Sequence, residues 1–319
     1  MIKEQLHASG PCDRNLRDAE LITCRLKRVE QLCQLPTSVL QQLAMCGYYE
    51  DLEKGVTSRK AIRSTWGNKN NLSYKKYLEE KYGNDTGSNI RNTNSEIGNI
   101  NMRILFLLGL PDGDNKTQKK ILAENKRHGD IIQEDFIDSY GNLTIKVGMM
   151  LKWIWTNHND NIEYILKADD DVYLNIHELV NELIYIYRQP IMLMGLLVTN
   201  QEPYSSRRSK YYSPKHMYDY KVFPDYLRGC SYLMTLEAAL TLFETALNTP
   251  IHYLEDVFYT GICTVGAEIH LVHNEGFAKR SDPDINCKYL CDITICSMKP
   301  KQIIKAHKKS KRCRLLYKC

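Results

Sequence analysis

Residues 162–171 read Ile162-Glu-Tyr-Ile-Leu-Lys-Ala168 followed by Asp169-Asp170-Asp171. The first seven residues form a mainly apolar run, which predicts a buried strand. Adjacent carboxylates repel one another, and a hard divalent cation with oxygen ligands is a common compensation. The stretch therefore predicts a metal site at the end of a buried strand, with a solvated acidic turn as the alternative. If the strand continues, Asp169 and Asp171 lie on one side and Asp170 on the other.

Strands and helices alternate on both sides of this stretch. Apolar runs at 104–108 and 192–198 predict buried strands, and helical spacing of apolar residues at 176–187 predicts an amphipathic helix. Another helix is expected to begin after Thr235, a good N-cap residue. This alternation predicts an α/β fold with a mostly parallel central sheet covered by helices on both faces. Ligands in such folds bind at the carboxyl ends of strands.

Composition and charge limit the classes of protein that fit. The chain has 319 residues, of which 43% are hydrophobic and 25% charged, so it can bury a core and is not a disordered chain. We divide it into a helical, stem-like or packing segment at 1–54, a main domain at 55–300 and a basic tail at 301–319. The tail holds eight Lys and Arg residues and no acid, and the rest is slightly acidic. Nucleic-acid binding is therefore not expected, and the tail is interpreted as a solvated or flexible end.

Cysteine usage indicates an oxidising compartment. Eleven cysteines are present, and their spacing favours disulfides over a zinc site. Four Asn-x-Ser/Thr acceptor triplets, at Asn71, Asn84, Asn115 and Asn142, favour the same compartment. The sequence contains no apolar run of about 18 residues, so we expect no membrane anchor within it.

Two further groups of residues suggest chemistry. Glu255 and Asp256 form an acidic pair between apolar residues, which suits either a general base or a helix cap. Arg59, Arg63 and Trp66 suggest contacts with phosphate and a base, or else a surface helix ending at Gly67. The sequence has neither a phosphate-binding Gly-x-x-x-x-Gly-Lys loop nor a Gly-x-Ser-x-Gly elbow.

Six sequence motifs occur in the same order as in the β-1,3-galactosyltransferase family, and the chain resembles that family in them. The family includes β-1,3-N-acetylglucosaminyltransferases. The resemblance covers roughly residues 55–305. The motifs are the segments at 59–67, 104–109, 128–140, 142–146, 166–172 and 255–257.

The resemblance implies a glycosyltransferase A-type fold, a UDP-sugar donor, Mn²⁺ and an inverting enzyme of the Golgi lumen. It implies that Asp169 and Asp171 bind the metal, and that Asp169 and Asp170 contact the donor nucleotide. Asp256 resembles the base that deprotonates the acceptor hydroxyl in a single in-line displacement.

Four other residues take their expected roles from the same resemblance. The residues expected to lie near the nucleotide sugar are Arg59, Arg63, Trp66 and Glu255. Cys296 stands where the family commonly has a metal-binding His, and a thiol is a softer ligand that suits Mn²⁺ poorly. The membrane anchor common to the family is not seen in this sequence.

We therefore expect a β-1,3-hexosyltransferase that moves galactose, or N-acetylglucosamine, to a glycan of a glycoprotein or glycolipid. UDP-galactose is the favoured donor. The alternatives are a non-catalytic family member that binds nucleotide or glycan, and a metal-dependent nucleotidyl or phosphoryl transferase.

Overall fold

The computed structural model describes residues 52–68, 102–157, 162–185, 191–278, 287, 290 and 292–317. The helices are α1 (Leu52–Ser64), α2 (Asn115–His128), α3 (Leu143–Asn157), α4 (Ile176–Tyr185), α5 (Leu236–Leu247), α6 (Cys263–Ala267) and α7 (Pro300–Tyr317). The strands are β1 (Phe106–Leu110), β2 (Ile131–Ile137), β3 (Tyr164–Ala168), β4 (Tyr173–Leu174), β5 (Met192–Val198), β6 (Tyr226–Thr235), β7 (His270–His273), β8 (Phe277–Ala278) and β9 (Thr294–Ile295). Short helical turns at Tyr140–Asn142 and Val257–Ile262 precede α3 and α6.

The chain divides into two compact units. The first unit contains the described residues of 1–53, 106–167 and 190–274, and the second contains those of 54–105, 168–189 and 275–319. Each unit therefore combines segments that are distant in sequence.

The first unit contains two sheets. One is the parallel pair β1 and β2, and the other has four strands in the order β3, β6, β5, β7. Within the larger sheet, β5 is antiparallel to β6 and parallel to β7. Helices α3 and α5 contribute fully buried side chains such as Leu151 and Leu242 to one core with Leu193 of β5 and Tyr232 of β6. This core fixes the position of β6, a strand that carries residues of the candidate site.

The second unit contains a small sheet in the order β4, β9, β8. Strand β9 is antiparallel to β4 and parallel to β8. Asn175, which follows β4, donates from its side chain to the carbonyl of Leu290 at 2.6 Å and from its backbone N–H to Ile293 at 2.9 Å. These bonds satisfy buried carbonyl groups beside the short sheet.

The prediction of an α/β fold is confirmed, but the prediction of a mostly parallel central sheet is wrong because the four-stranded and three-stranded sheets are both mixed. Hydrophobic runs identify buried strands without giving their direction. The basic run at 301–319 lies largely in α7, whose Ile303 and Ala306 are fully buried, and a disulfide joins Cys313 to Cys287. The segment predicted at 1–54 lies almost wholly outside the described residues.

Two further predictions, on the acceptor asparagines and on a membrane anchor, can be compared with the structure. Asn142, one of the four acceptor asparagines, is 7% exposed and donates to the carbonyl of Ile137, so its side chain is not presented to solvent. Asn115 is exposed at the start of α2, and Asn71 and Asn84 lie outside the described residues. Of the helices that the structure describes, none has both the length and the apolar character needed to cross a membrane.

Candidate functional site

The acidic pair lies in the first unit, where its two carboxylates have different surroundings. Glu255 is 5% exposed, and its Oε1 accepts a hydrogen bond from the Lys167 ammonium at 2.7 Å. Its Oε2 accepts from the hydroxyl of Tyr232 at 3.1 Å. Glu255 is thus held inside the protein as a neutralised charge, and its predicted contact with the nucleotide sugar stays a prediction.

Lys167 also belongs to the site, although it was not among the site residues predicted from the sequence. It lies in β3, is buried, and donates to the carbonyl of Gly229 as well as to Glu255. A buried lysine needs a partner of opposite charge, because desolvation strongly disfavours an unpaired ammonium. The only signal in the sequence is a lysine inside an otherwise apolar strand.

Asp256 is half-buried and fixed by the backbone. Its Oδ2 accepts from the N–H of Gly229 at 3.0 Å, and its Oδ1 accepts from the N–H of Val257 at 2.9 Å. The second bond caps the helical turn that follows, so the cap predicted for this pair is present at Asp256. A carboxylate that is fixed and still partly exposed has the properties required of a positioned general base.

The elements around Asp256 are held together by Thr260. This side chain lies in the π-helical turn Val257–Ile262, accepts from the N–H of Leu227 at 2.8 Å and donates to the carbonyl of Asp256 at 2.6 Å. It thereby links β6 to the segment carrying the acidic pair. Single π-helical turns inside helices occur frequently at functional sites.

Gly229 approaches the acidic pair too closely for any side chain. A Cβ atom built at this position would lie 2.9 Å from Oδ2 of Asp256 and 2.9 Å from Oε1 of Glu255. Glycine is therefore required here by space. The sequence stretch Gly229-Cys-Ser-Tyr232 thus places its first residue against both carboxylates.

Two tyrosines on β6 are affected by these charges. Burial and then the charge of Glu255 raise the pKa of Tyr232 well above its usual value, so this residue remains a neutral hydrogen-bond donor. Burial and then the charge of Asp256 raise the pKa of Tyr226 to about 12. The phenol of Tyr226 is therefore protonated at neutral pH and lies within electrostatic range of the Asp256 carboxylate.

The acidic triplet belongs to the second unit. β3 ends at Ala168, and the three aspartates form a turn in which the N–H of Val172 donates to the carbonyl of Asp169 at 3.3 Å. The alternation expected of a continuing strand therefore does not apply. Asp170 is exposed, whereas Asp169 and Asp171 are half-buried. The carbonyl of Asp171 accepts from the N–H of Met298 at 2.8 Å, which ties the turn to the chain after β9.

Helix α1 supplies the other residues predicted near the nucleotide. Arg59 is 2% exposed, and its guanidinium and the Asp170 carboxylate both border Gly55, at 2.7 and 3.6 Å from a Cβ built there. Trp66 is 6% exposed and donates its indole N–H to the carbonyl of Val172 at 3.1 Å. Arg63 is half-buried in the last turn of the helix. These contacts bring Arg59 and Trp66 to the acidic turn.

The donor atoms of the acidic turn fit a hard divalent cation. Carboxylate oxygens suit Mg²⁺ and Mn²⁺, which typically take one or two protein carboxylates and complete their shell with water and substrate phosphate. Across the described ranges, no group of three or more His, Cys, Asp and Glu side chains could hold a metal ion. A cation at the acidic turn would therefore need oxygen atoms from a bound substrate to complete its coordination shell. Cys296 is disulfide-bonded, so its sulfur is not a thiolate, and we leave it out of the proposed ligand set.

Comparison with known proteins places these features in a family. The galactosyltransferase family model matches residues 57–275. Beta-1,3-galactosyltransferase 1 of Mus musculus, like that of Homo sapiens, is 30% identical over 252 residues, which cover 78% of this chain and 68% of the relative.

A second kind of relative is the lactosylceramide 1,3-N-acetyl-beta-D-glucosaminyltransferase of Xenopus tropicalis. It is 33% identical over 214 residues, which cover 64% of this chain and 49% of that protein, or about half its length. The matched region includes the acidic turn, β6 and the acidic pair. On this evidence, the chain belongs to the β-1,3-galactosyltransferase family.

Proposed function

We propose that the protein is an inverting, metal-dependent β-1,3-glycosyltransferase that moves galactose from UDP-galactose to a hydroxyl of an acceptor glycan. The observation that carries this proposal is the contrast within the acidic pair. Glu255 is neutralised by Lys167, whereas Asp256 is held in place by two backbone N–H groups and remains partly exposed. The names of the relatives support a hexosyl donor and leave UDP-N-acetylglucosamine as the other choice.

We assign the acceptor chemistry to Asp256. Asp256 accepts the proton of the acceptor hydroxyl as that oxygen bonds to the anomeric carbon, and the bond from this carbon to the diphosphate breaks in the same step. A single displacement inverts the configuration, so no covalent glycosyl-enzyme forms. Glu255 and Lys167 act as positioning residues, because their ion pair and the Lys167 bond to Gly229 hold the strand that donates to Asp256.

We assign the donor chemistry to the acidic turn and to helix α1. We assign Asp169 and Asp171 to a divalent cation, Mn²⁺ by preference, and Asp170 to the donor nucleotide. When bound, this cation would neutralise charge on the departing diphosphate. Arg59 and Arg63 add positive charge near the nucleotide, and we assign Trp66 to supporting the acidic turn because its indole N–H is bonded to Val172.

The setting of the enzyme is part of the proposal. We infer a glycosyltransferase A-type fold, an acceptor on a glycoprotein or glycolipid, and a location in the Golgi lumen. The disulfide between Cys287 and Cys313 and the disulfide-bonded state of Cys230 and Cys296 support an oxidising compartment.

The test is nucleotide release from purified protein supplied with UDP-galactose or UDP-N-acetylglucosamine, with Mn²⁺ or a chelator, and with mixed glycoside acceptors. We expect UDP to be released from UDP-galactose, and we expect the chelator to suppress this release. Release of UMP would indicate a nucleotidyl or phosphoryl transferase instead. UDP binding without turnover of either donor would contradict the proposal and support the non-catalytic alternative.

A further inference from the structure

An exposed aromatic surface lies on the first unit, outside the acidic pair. We call it the tyrosine platform and define it by Tyr140, Tyr204, Lys210 and Tyr211. The ring centroids of Tyr204 and Tyr211 are 5.6 Å apart, and those of Tyr140 and Tyr211 are 6.4 Å apart. Tyr204 and Tyr211 are 44% and 38% exposed. Adjacent exposed aromatic rings are typical of a binding surface.

A cation completes the platform. The ammonium of Lys210 lies 5.0 Å from the ring centroid of Tyr140 and 4.9 Å from that of Tyr211. Its attraction to both rings orders the side chain at the surface. The platform therefore combines apolar ring surface with a hydrogen-bond donor at its edge.

The segment that carries the platform is fixed to the residues before the acidic pair. The hydroxyl of Tyr253 donates to the carbonyl of Tyr212 and also lies 3.1 Å from the carbonyl oxygen of Lys210. Ser213 pairs with the buried ring of His252 at 3.0 Å. A binding surface on a loop needs such anchoring to keep its geometry.

Packing connects the platform to Asp256. A buried cluster of Phe223, Tyr253, Leu254 and Val257 supports the partly buried rings of Tyr140 and Tyr226, and Leu254 and Val257 flank the acidic pair. The phenol of Tyr226 also lies within electrostatic range of Asp256, Tyr204 and Tyr211. Base and platform are thus carried by one packed part of the first unit.

We propose that the tyrosine platform binds a pyranose ring of the acceptor glycan, a role that rests on the proposed glycosyl transfer. A pyranose offers a face of C–H groups that packs on aromatic rings and a rim of hydroxyls that bond to polar groups. Tyr204 and Tyr211 supply ring surface, and Lys210 supplies the donor. The platform is therefore a determinant of acceptor affinity.

The test compares Tyr211→Ala with Tyr211→Phe, which keeps the ring, and with the matched control Tyr220→Ala. Tyr220 is 76% exposed in the same segment, and its ring centroid lies 5.3 Å from that of Tyr218. Binding of methyl β-galactoside and methyl N-acetyl-β-glucosaminide is measured by saturation-transfer NMR without donor. Acceptor KM and acceptor-independent hydrolysis of the UDP-sugar are measured in parallel.

We expect Tyr211→Ala to weaken glycoside binding and raise acceptor KM about tenfold, with donor hydrolysis unchanged. Tyr211→Phe and Tyr220→Ala should behave like the wild-type protein. Equal behaviour of Tyr211→Ala and Tyr220→Ala, or no glycoside binding by the wild-type protein, would overturn the proposal. If the wild-type protein binds glycoside through Tyr211 but turns over neither donor, the platform stands and the proposed transfer fails.

Discussion

The backbone N–H of Gly229 donates to the Asp256 carboxylate at 3.0 Å, although the two residues are 27 positions apart in the chain. The same glycine presents its carbonyl to Lys167, which is paired with Glu255. One strand residue therefore bonds both to Asp256 and to the lysine that is paired with Glu255. This arrangement leaves Asp256 fixed and partly exposed while Glu255 is buried.

Asp256→Asn is expected to reduce sugar transfer by about a hundredfold to ten-thousandfold, because an amide cannot accept the acceptor proton. UDP binding, measured by calorimetry, should change little. Asp225→Asn serves as the control, since Asp225 is an exposed carboxylate just before β6. Near-normal transfer by Asp256→Asn would remove Asp256 from the role of base.

Gly229→Ala is expected to lower transfer without changing any reacting group. The added Cβ would lie 2.9 Å from the Asp256 carboxylate, so either the carboxylate or β6 must move. Gly266→Ala is the matched control, because a Cβ there meets Thr245 at 3.5 Å, an ordinary contact. Steady-state kinetics should show the loss only for Gly229→Ala, and equal rates for the two variants would contradict the steric argument.

The Lys167–Glu255 pair is expected to show strong coupling in urea unfolding. Lys167→Met leaves a buried, uncompensated carboxylate and should cost about 3–5 kcal/mol of unfolding free energy. The double variant Lys167→Met/Glu255→Gln removes both charges and should lose less than the sum of the single changes. Strict additivity would show that the pair contributes no coupling.

The structure explains which features could be predicted from the sequence. The bounds of β5 follow from a continuous apolar run, and the start of α4 follows from apolar residues at helical spacing. The predicted N-cap at Thr235 is present, since its Oγ1 accepts from the N–H of Ala238. The antiparallel pairing of β5 with β6 is not a local property, since strand direction depends on the path of the connection. The pairing of Lys167 with Glu255, 88 residues apart, is equally non-local.

His252 is expected to make the protein less stable in mild acid. Burial lowers the pKa of its imidazole to about 4, whereas the unfolded chain has a value near 6.5. The unfolded state therefore binds more protons between these values, and stability falls as the pH drops from about 6.5 towards 4. The total loss from this group is about 3 kcal/mol.

Urea unfolding at several pH values tests the role of His252. The variant His252→Gln lacks the titrating ring and should show a shallower loss of stability over this pH range than the wild-type protein. Parallel curves for the two proteins would show that another group causes the acid sensitivity.

Inverting transfer with Asp256 as the base is tested by the structure of the product formed from UDP-galactose and a glycoside acceptor in the presence of Mn²⁺. NMR of the purified product reports both the linkage position and the anomeric configuration. We expect the wild-type protein to form a β-1,3-linked galactoside and Asp256→Asn to form almost none. An α-linked product, or a β-1,3 product formed equally well by Asp256→Asn, would contradict this mechanism.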